Sequence, residues 1–184
     1  MAPVYPHPIC TIGHSTRPIE EFVAMLRTHR IRMLVDVRTA PGSRHNPQYG
    51  AAALTASLAE AGIGYTHIKA LGGLRKPRPD SPNMAWRNKS FRGYADHMGS
   101  PEFAGGLAAL LALARAEPTV IMCAEAVPWR CHRSLIGDAL VARGVEVLDI
   151  FSATQARPHR LSPIAVVDAG EVHYPAAPPG QLEL

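Results

Sequence analysis

Residues 119 to 151 read TVIMCAEAVPWRCHRSLIGDALVARGVEVLDIF, two short apolar runs on either side of a helical stretch. Thr119 to Ala124 and Val145 to Phe151 are continuous rather than alternating, as expected of strands buried on both faces. Between them, Cys131 to Arg143 has helical character and stops at Gly144, a residue that readily terminates a helix. A strand, a helix and a second strand in this order predict a parallel crossover unit.

The same alternation extends in both directions. Ile9 to Gly13 and Met33 to Val37 are further buried-strand runs, and Tyr65 to Leu71 is a third. Ile19, Phe22, Val23 and Leu26 recur at helical spacing, with Ser15 and Thr16 as cap candidates and Pro18 suited to the first turn. Ala51 to Ala61 is an alanine-rich helix ended by Gly62, while Phe91 to Met98 and Glu102 to Arg115 are helices broken at Gly99-Ser100-Pro101. Ile164 to Val167 and Glu171 to Tyr174, joined through Asp168-Ala169-Gly170, predict a closing hairpin. The expected fold is therefore α/β: a three-layer Rossmann-like domain over residues 1–174, with a mostly parallel sheet of about five strands and a C-terminal β-hairpin. Residues 175–184 are Pro-rich and predicted to be a loose tail.

Composition narrows the function classes. The 184 residues are 47% hydrophobic and 18% charged, ordinary for a soluble globular protein, and no apolar segment is long enough to span a bilayer. Three cysteines and no signal-peptide pattern favour a reducing, cytoplasmic setting over a disulfide framework. The net charge of +4 is local: the segment from Gly72 to Tyr94 carries +5, leaving −1 for the remainder. Its Trp86, Phe91 and Tyr94 interleave with Arg87, Lys89 and Arg92, a pattern suited to stacking bases while neutralising phosphates, or to a solvated flap over a packed helix. The sequence specifies neither a cofactor nor an oligomeric state.

In a parallel sheet, ligands bind outside the carboxyl ends of the strands. The residues at those ends are Gly13-His14-Ser15, Asp36 and Arg38, Gly72-Gly73, and Cys123 with Glu125. The runs TIGHS (11–15), LVDVR (34–38), LGG (71–73), CAE (123–125) and CHR (131–133), with PHRLSP (158–163) and VHYP (172–175), together resemble the DUF488 family. The resemblance implies a compact α/β domain and, among some relatives, nucleic-acid-related chemistry.

The residues themselves leave several chemistries open. Cys131, placed at a helix start between Arg130 and Arg133, is the expected nucleophile, since the dipole there favours a thiolate. The same helix start, with Arg130, His132 and Arg133, is equally suited to a phosphate. Cys123 reads as a buried strand-end residue, inert or structural. A phosphatase loop requires five residues between Cys and Arg, and six separate Cys123 from Arg130. His14 is expected as acid/base with Glu125 to orient it, or as a residue fixing a turn. Asp36 and Arg38 form either an ion pair or an anion clamp to which Ser15, Ser43, Arg44, Gly72 and Gly73 contribute. Cys123, Cys131 and His14 are weak metal candidates without zinc-type spacing, and Cys123 with Cys131 is a possible redox pair. The favoured reading is hydrolysis or transfer on a phosphate-containing nucleotide or nucleic acid. The rivals are a non-catalytic nucleic-acid-binding module using the basic 72–94 segment, and a metal or thiol redox protein.

Overall fold

The computed structural model describes residues 5–177. Its main sheet contains β1 (Ile9–Gly13), β2 (Met33–Asp36), β3 (Gly64–His67), β4 (Thr119–Cys123), β5 (Val147–Ser152) and β6 (Gln155–Pro158), in the order β3-β2-β4-β1-β5-β6. The first five in chain order run parallel, and β6 returns antiparallel to β5. Helices α1 (Ile19–Thr28) and α2 (Ala51–Glu60) cover one face. The other is covered by α3 (Lys89–Met98), α4 (Pro101–Ala116) and α5 (Arg133–Val141). Side chains alternate between the two cores within a single strand: Val120 and Met122 join Phe22 and Leu54, whereas Ile121 and Cys123 join Leu107 and Leu135. Both faces are buried, which is why the strands read as unbroken apolar runs.

The mostly parallel sheet of about five strands is present, with five parallel strands and one addition, β6, an exposed edge strand whose residues, Gln-Ala-Arg-Pro, carry no apolar pattern. Three expectations are corrected at element boundaries. The third strand stops at His67, and Lys69–Leu71 form a 3-10 turn that packs Leu71 into the core. Ser15 and Thr16 do not cap α1: Ser15 adopts a left-handed φ of 52°, and the cap position, Pro18, has no side-chain hydrogen bond. Helix α5 begins at Arg133, not Cys131, because Pro128–Arg130 form a 3-10 turn that leaves Cys131 extended.

The expected hairpin is present as β7 (Val166–Asp168) and β8 (Glu171–His173). Ala169 and Gly170 link them, both at positive φ (48° and 81°), the combination a tight two-residue turn requires. Of the predicted tail, residues 178–184 lie outside the described residues.

Candidate functional site

The insertion of β4 between β1 and β2 brings the loops after three adjacent strands to one edge of the sheet. Gly13 lies in register with Cys123, and Asp36 with Met122. Beyond the strands, the His14 N–H donates to the Cys123 carbonyl at 3.0 Å and the Ser15 N–H to that of Ala124 at 2.9 Å. The approach is so close that a Cβ on Gly13 would lie 1.6 Å from the Glu125 carbonyl oxygen, so only glycine fits. These loops enclose a pocket of about 560 Å³. Expected residues on its wall are His14, Ser15, Arg38, Ser43, Gly73, Cys123, Glu125, Cys131 and His132; Thr16, Thr39 and Asn46 are additions.

The two cysteines differ in what surrounds them. Arg133, only 1% exposed, turns inward beneath the pocket and donates from Nη1 to Cys123 Sγ at 2.8 Å, to the Ile12 carbonyl at 2.8 Å and to that of Glu125 at 3.1 Å. Burial alone pushes the Cys123 thiol up. The hydrogen bond from Cys131 and the Arg133 charge, helped by the Glu125 backbone, outweigh it and bring the pKa down to about 7. The Cys131 thiol is pushed the other way, by its pairing with Cys123 first and by burial second. The two thiols titrate as a pair, and the Arg133 guanidinium on Cys123 Sγ favours the negative charge on Cys123. Cys131 lies two residues before α5, and the first N–H of that helix, from Arg133, reaches its Sγ at 3.5 Å; this and the Arg133 charge lower its thiol, but by less than the pairing with Cys123 and burial raise it. All three cysteines are free.

His14 and Arg38 form the opposite wall. The His14 Nδ1–H donates to the Ser15 carbonyl at 2.8 Å, which leaves Nε2 to accept from Arg38 Nη1 at 3.4 Å. Its ring stacks on Tyr49 at 4.0 Å, and burial lowers its pKa, so it is neutral near pH 7. Asp36 is fully buried and does not line the pocket; it accepts from Arg38 Nε and Nη2 and from the Tyr65 hydroxyl. Asp36 therefore positions Arg38 rather than contacting a ligand. The expected His14–Glu125 pair is absent: Glu125 is exposed, and the His14 nitrogens face Ser15 and Arg38. His132 donates from Nε2 to the Val37 carbonyl at 2.8 Å, leaving Nδ1 free toward Cys131 Sγ at 3.6 Å, and burial lowers its pKa to about 4.

The expected phosphate cradle does not assemble. Arg130 and Arg44 are exposed and away from the pocket wall, and Arg133 is consumed beneath Cys123. Gly72 lies off the wall, packed against the Thr39 backbone, while Gly73 lies against the His132 ring. Ser43 accepts the Asn46 N–H. Among the described residues no group of three or more His, Cys, Asp or Glu side chains is placed to hold a metal ion, which removes the set His14, Cys123 and Cys131.

The basic 72–94 segment is tied down rather than free. Asp96 accepts from the Arg78 N–H, the Ser81 hydroxyl and the Asn83 amide, and Arg75 and Arg78 are paired with Glu102 and Asp80. Trp86 stacks on Phe91 at 4.8 Å, and Tyr94 is buried. The aromatic rings expected to stack on bases therefore pack on one another and on the core. No helix among the described residues is long and apolar enough to cross a membrane.

The model of the family described as "Domain of unknown function DUF488" matches residues 18–140. The chain belongs to the DUF488 family. No curated protein and no solved structure matches it. The matched span of this DUF488 chain holds β2 to β4, Arg38, Cys123, Cys131 and Arg133, but not His14 or the C-terminal hairpin.

Proposed function

We propose that the pocket of this DUF488 protein is a thiol-dependent catalytic site, in which Cys123 attacks an electrophilic centre of a small substrate in a transfer or hydrolysis reaction. One observation carries this reading: a buried guanidinium, Arg133 Nη1, lies 2.8 Å from Cys123 Sγ at the wall of an open pocket. A buried cation with no carboxylate partner among the described residues is costly unless an anion meets it, and the Cys123 thiolate is that anion. Cys131 holds the thiolate through its S–H, and neutral His132 and His14 with Arg38 supply polar groups toward a bound substrate. The chemistry requires a reducing compartment such as the cytoplasm, where thiols stay free.

A phosphate-bearing substrate, nucleotide or nucleic acid, has less support. Arg38 is already matched by Asp36, and Arg130 and Arg133 are not on the pocket wall. A non-catalytic nucleic-acid module has less again, because the basic segment's aromatic rings are engaged internally.

The test is alkylation by iodoacetamide as a function of pH, with each cysteine followed by peptide mass spectrometry. Cys123 is expected to react first, with a midpoint near its pKa of about 7. Cys10, whose thiol is pushed up to about 11 by burial, serves as the unreactive control. Preferential labelling of Cys131, or a Cys123 midpoint at the ordinary thiol value, would overturn the assignment.

A further inference from the structure

A second cavity, of about 670 Å³, shares no lining residue with the thiol pocket. It lies between the 3-10 turn Pro128–Arg130, strands β5 and β6, and residues 158–163, all six of which line it. Its volume falls within the range of small-molecule sites, roughly 300–1,000 Å³. Trp129, 64% exposed, faces Phe151 with ring centres 6.1 Å apart, and Trp86 closes another part of the wall. An indole left this open normally costs hydration free energy and is common where a ring is to be received.

The charged groups around these rings are not evenly matched. Both acids in the wall are used by the protein. Asp138 accepts from His159 Nε2, the Ser162 N–H and the Tyr174 hydroxyl, and Asp149 from Thr11 and His159 Nδ1. The two arginines are not matched by acids. Among the described residues, neither Arg157 nor Arg160 has a carboxylate partner, and Arg157 lies over the Phe151 ring at 5.5 Å. The unmatched charged groups on the cavity wall are therefore cations set beside aromatic rings, which favours a planar anion.

We propose that this cavity binds a small anion bearing an aromatic ring, with the ring against Trp129 and Phe151 and the charge held by Arg157 and Arg160. An aryl carboxylate and a nucleoside monophosphate share this chemistry. The site is independent of the thiol pocket, and the proposal does not rest on Cys123.

The chain contains two tryptophans, and both line this cavity, so intrinsic fluorescence reports on it locally. The full-length protein is titrated with biphenyl-4-carboxylate and with AMP, each beside its neutral counterpart, biphenyl-4-methanol and adenosine. A saturable change is expected with at least one anion at a Kd below about 1 mM, and about tenfold weaker with its neutral counterpart. Whichever anion binds identifies the source, and binding of both supports the shared class. Arg157→Gln and Arg160→Gln, both at exposed positions, are each expected to weaken binding about tenfold without lowering Tm, and Cys123→Ser to leave it unchanged. The proposal is overturned if neither anion saturates, if neutral ligands bind equally well, or if the double arginine variant retains affinity. Loss of binding in a Cys123→Ser variant that keeps the wild-type Tm would also overturn it, by showing that the signal came from the thiol pocket.

Discussion

Raising the pH from about 6 to about 9.5 should weaken the fold through one residue, His159, and the size of the effect follows from its setting. His159 bridges two buried carboxylates, with Nδ1 at 2.9 Å from Asp149 and Nε2 at 3.0 Å from Asp138. Burial opposes the charged imidazole, but the hydrogen bonds to Asp138 and Asp149 outweigh it and push the pKa from 6.5 up to about 9. A raised base contributes its stability fully below the unfolded value, near 6.5, and loses it as pH rises through about 9. That difference corresponds to about 3 kcal/mol, or roughly 6–12 °C in Tm for a chain of this length. The bridge ties α5, β5 and, through Tyr174 on Asp138, the end of the C-terminal hairpin, so the loss should be global rather than local. Cys123 titrates in the same window with the opposite sign, because its depressed pKa adds stability as pH rises through about 7 toward the unfolded thiol value. The measurement is therefore a difference: urea unfolding of the wild type and of His159→Asn across the pH range. The gap between them should be largest near pH 6 and should shrink by about 3 kcal/mol by pH 9.5. A gap that stays constant between those limits refutes an imidazolium at this position.

Other consequences are as direct. Arg133→Met should return the Cys123 alkylation midpoint from about 7 toward the ordinary thiol range, slowing labelling at neutral pH at least about tenfold; an unchanged midpoint would show that Arg133 does not hold the thiolate. Gly13→Ala should destabilise the protein by more than about 3 kcal/mol in urea unfolding, since its Cβ meets a backbone carbonyl that cannot move aside. His132, held neutral with a pKa near 4, should make the fold weaken as pH falls from about 6.5 to 4, where the unfolded chain binds the proton and the folded one does not. That acid-side slope should flatten in His132→Gln, as followed by Tm. Gly137→Ala, whose Cβ would meet the His159 ring at 2.8 Å, should lower Tm and reduce the pH dependence assigned to His159.

The strand-end rule found the pocket wall from sequence but not the division of labour within it. Cys123, His14 and Arg38 were legible because each directly follows or closes an apolar run, and a parallel sheet brings such positions to one edge; Cys131 was legible as the opening of the helix after β4. Arg133 was misread as a ligand-facing cation because sequence places it beside Cys131 at a helix start. Helix α5 in fact begins at Arg133 itself, and its side chain reaches back under β4 to Cys123, ten residues earlier. The segment 72–94 looked like a free basic flap because its anchor, Asp96, lies just past its end, and only the turning back of the loop onto α3 brings Arg78, Ser81 and Asn83 to it. The second cavity went unread for the same reason: Trp86, Trp129 and residues 158–163 meet only after the hairpin and α5 have packed.

By itself, the sequence determined which segments are strands and helices, that the strands are covered on both faces, and which loops carry reactive groups. Local periodicity and backbone-permissive residues carry that information, because they act over a few residues. Tertiary structure alone decided that β4 enters between β1 and β2, that the Arg133 guanidinium lies on Cys123 Sγ, and that Arg157 and Arg160 are left without acids. A charge state depends on what lies within a few ångströms in space, and those neighbours come from elements far apart in the chain.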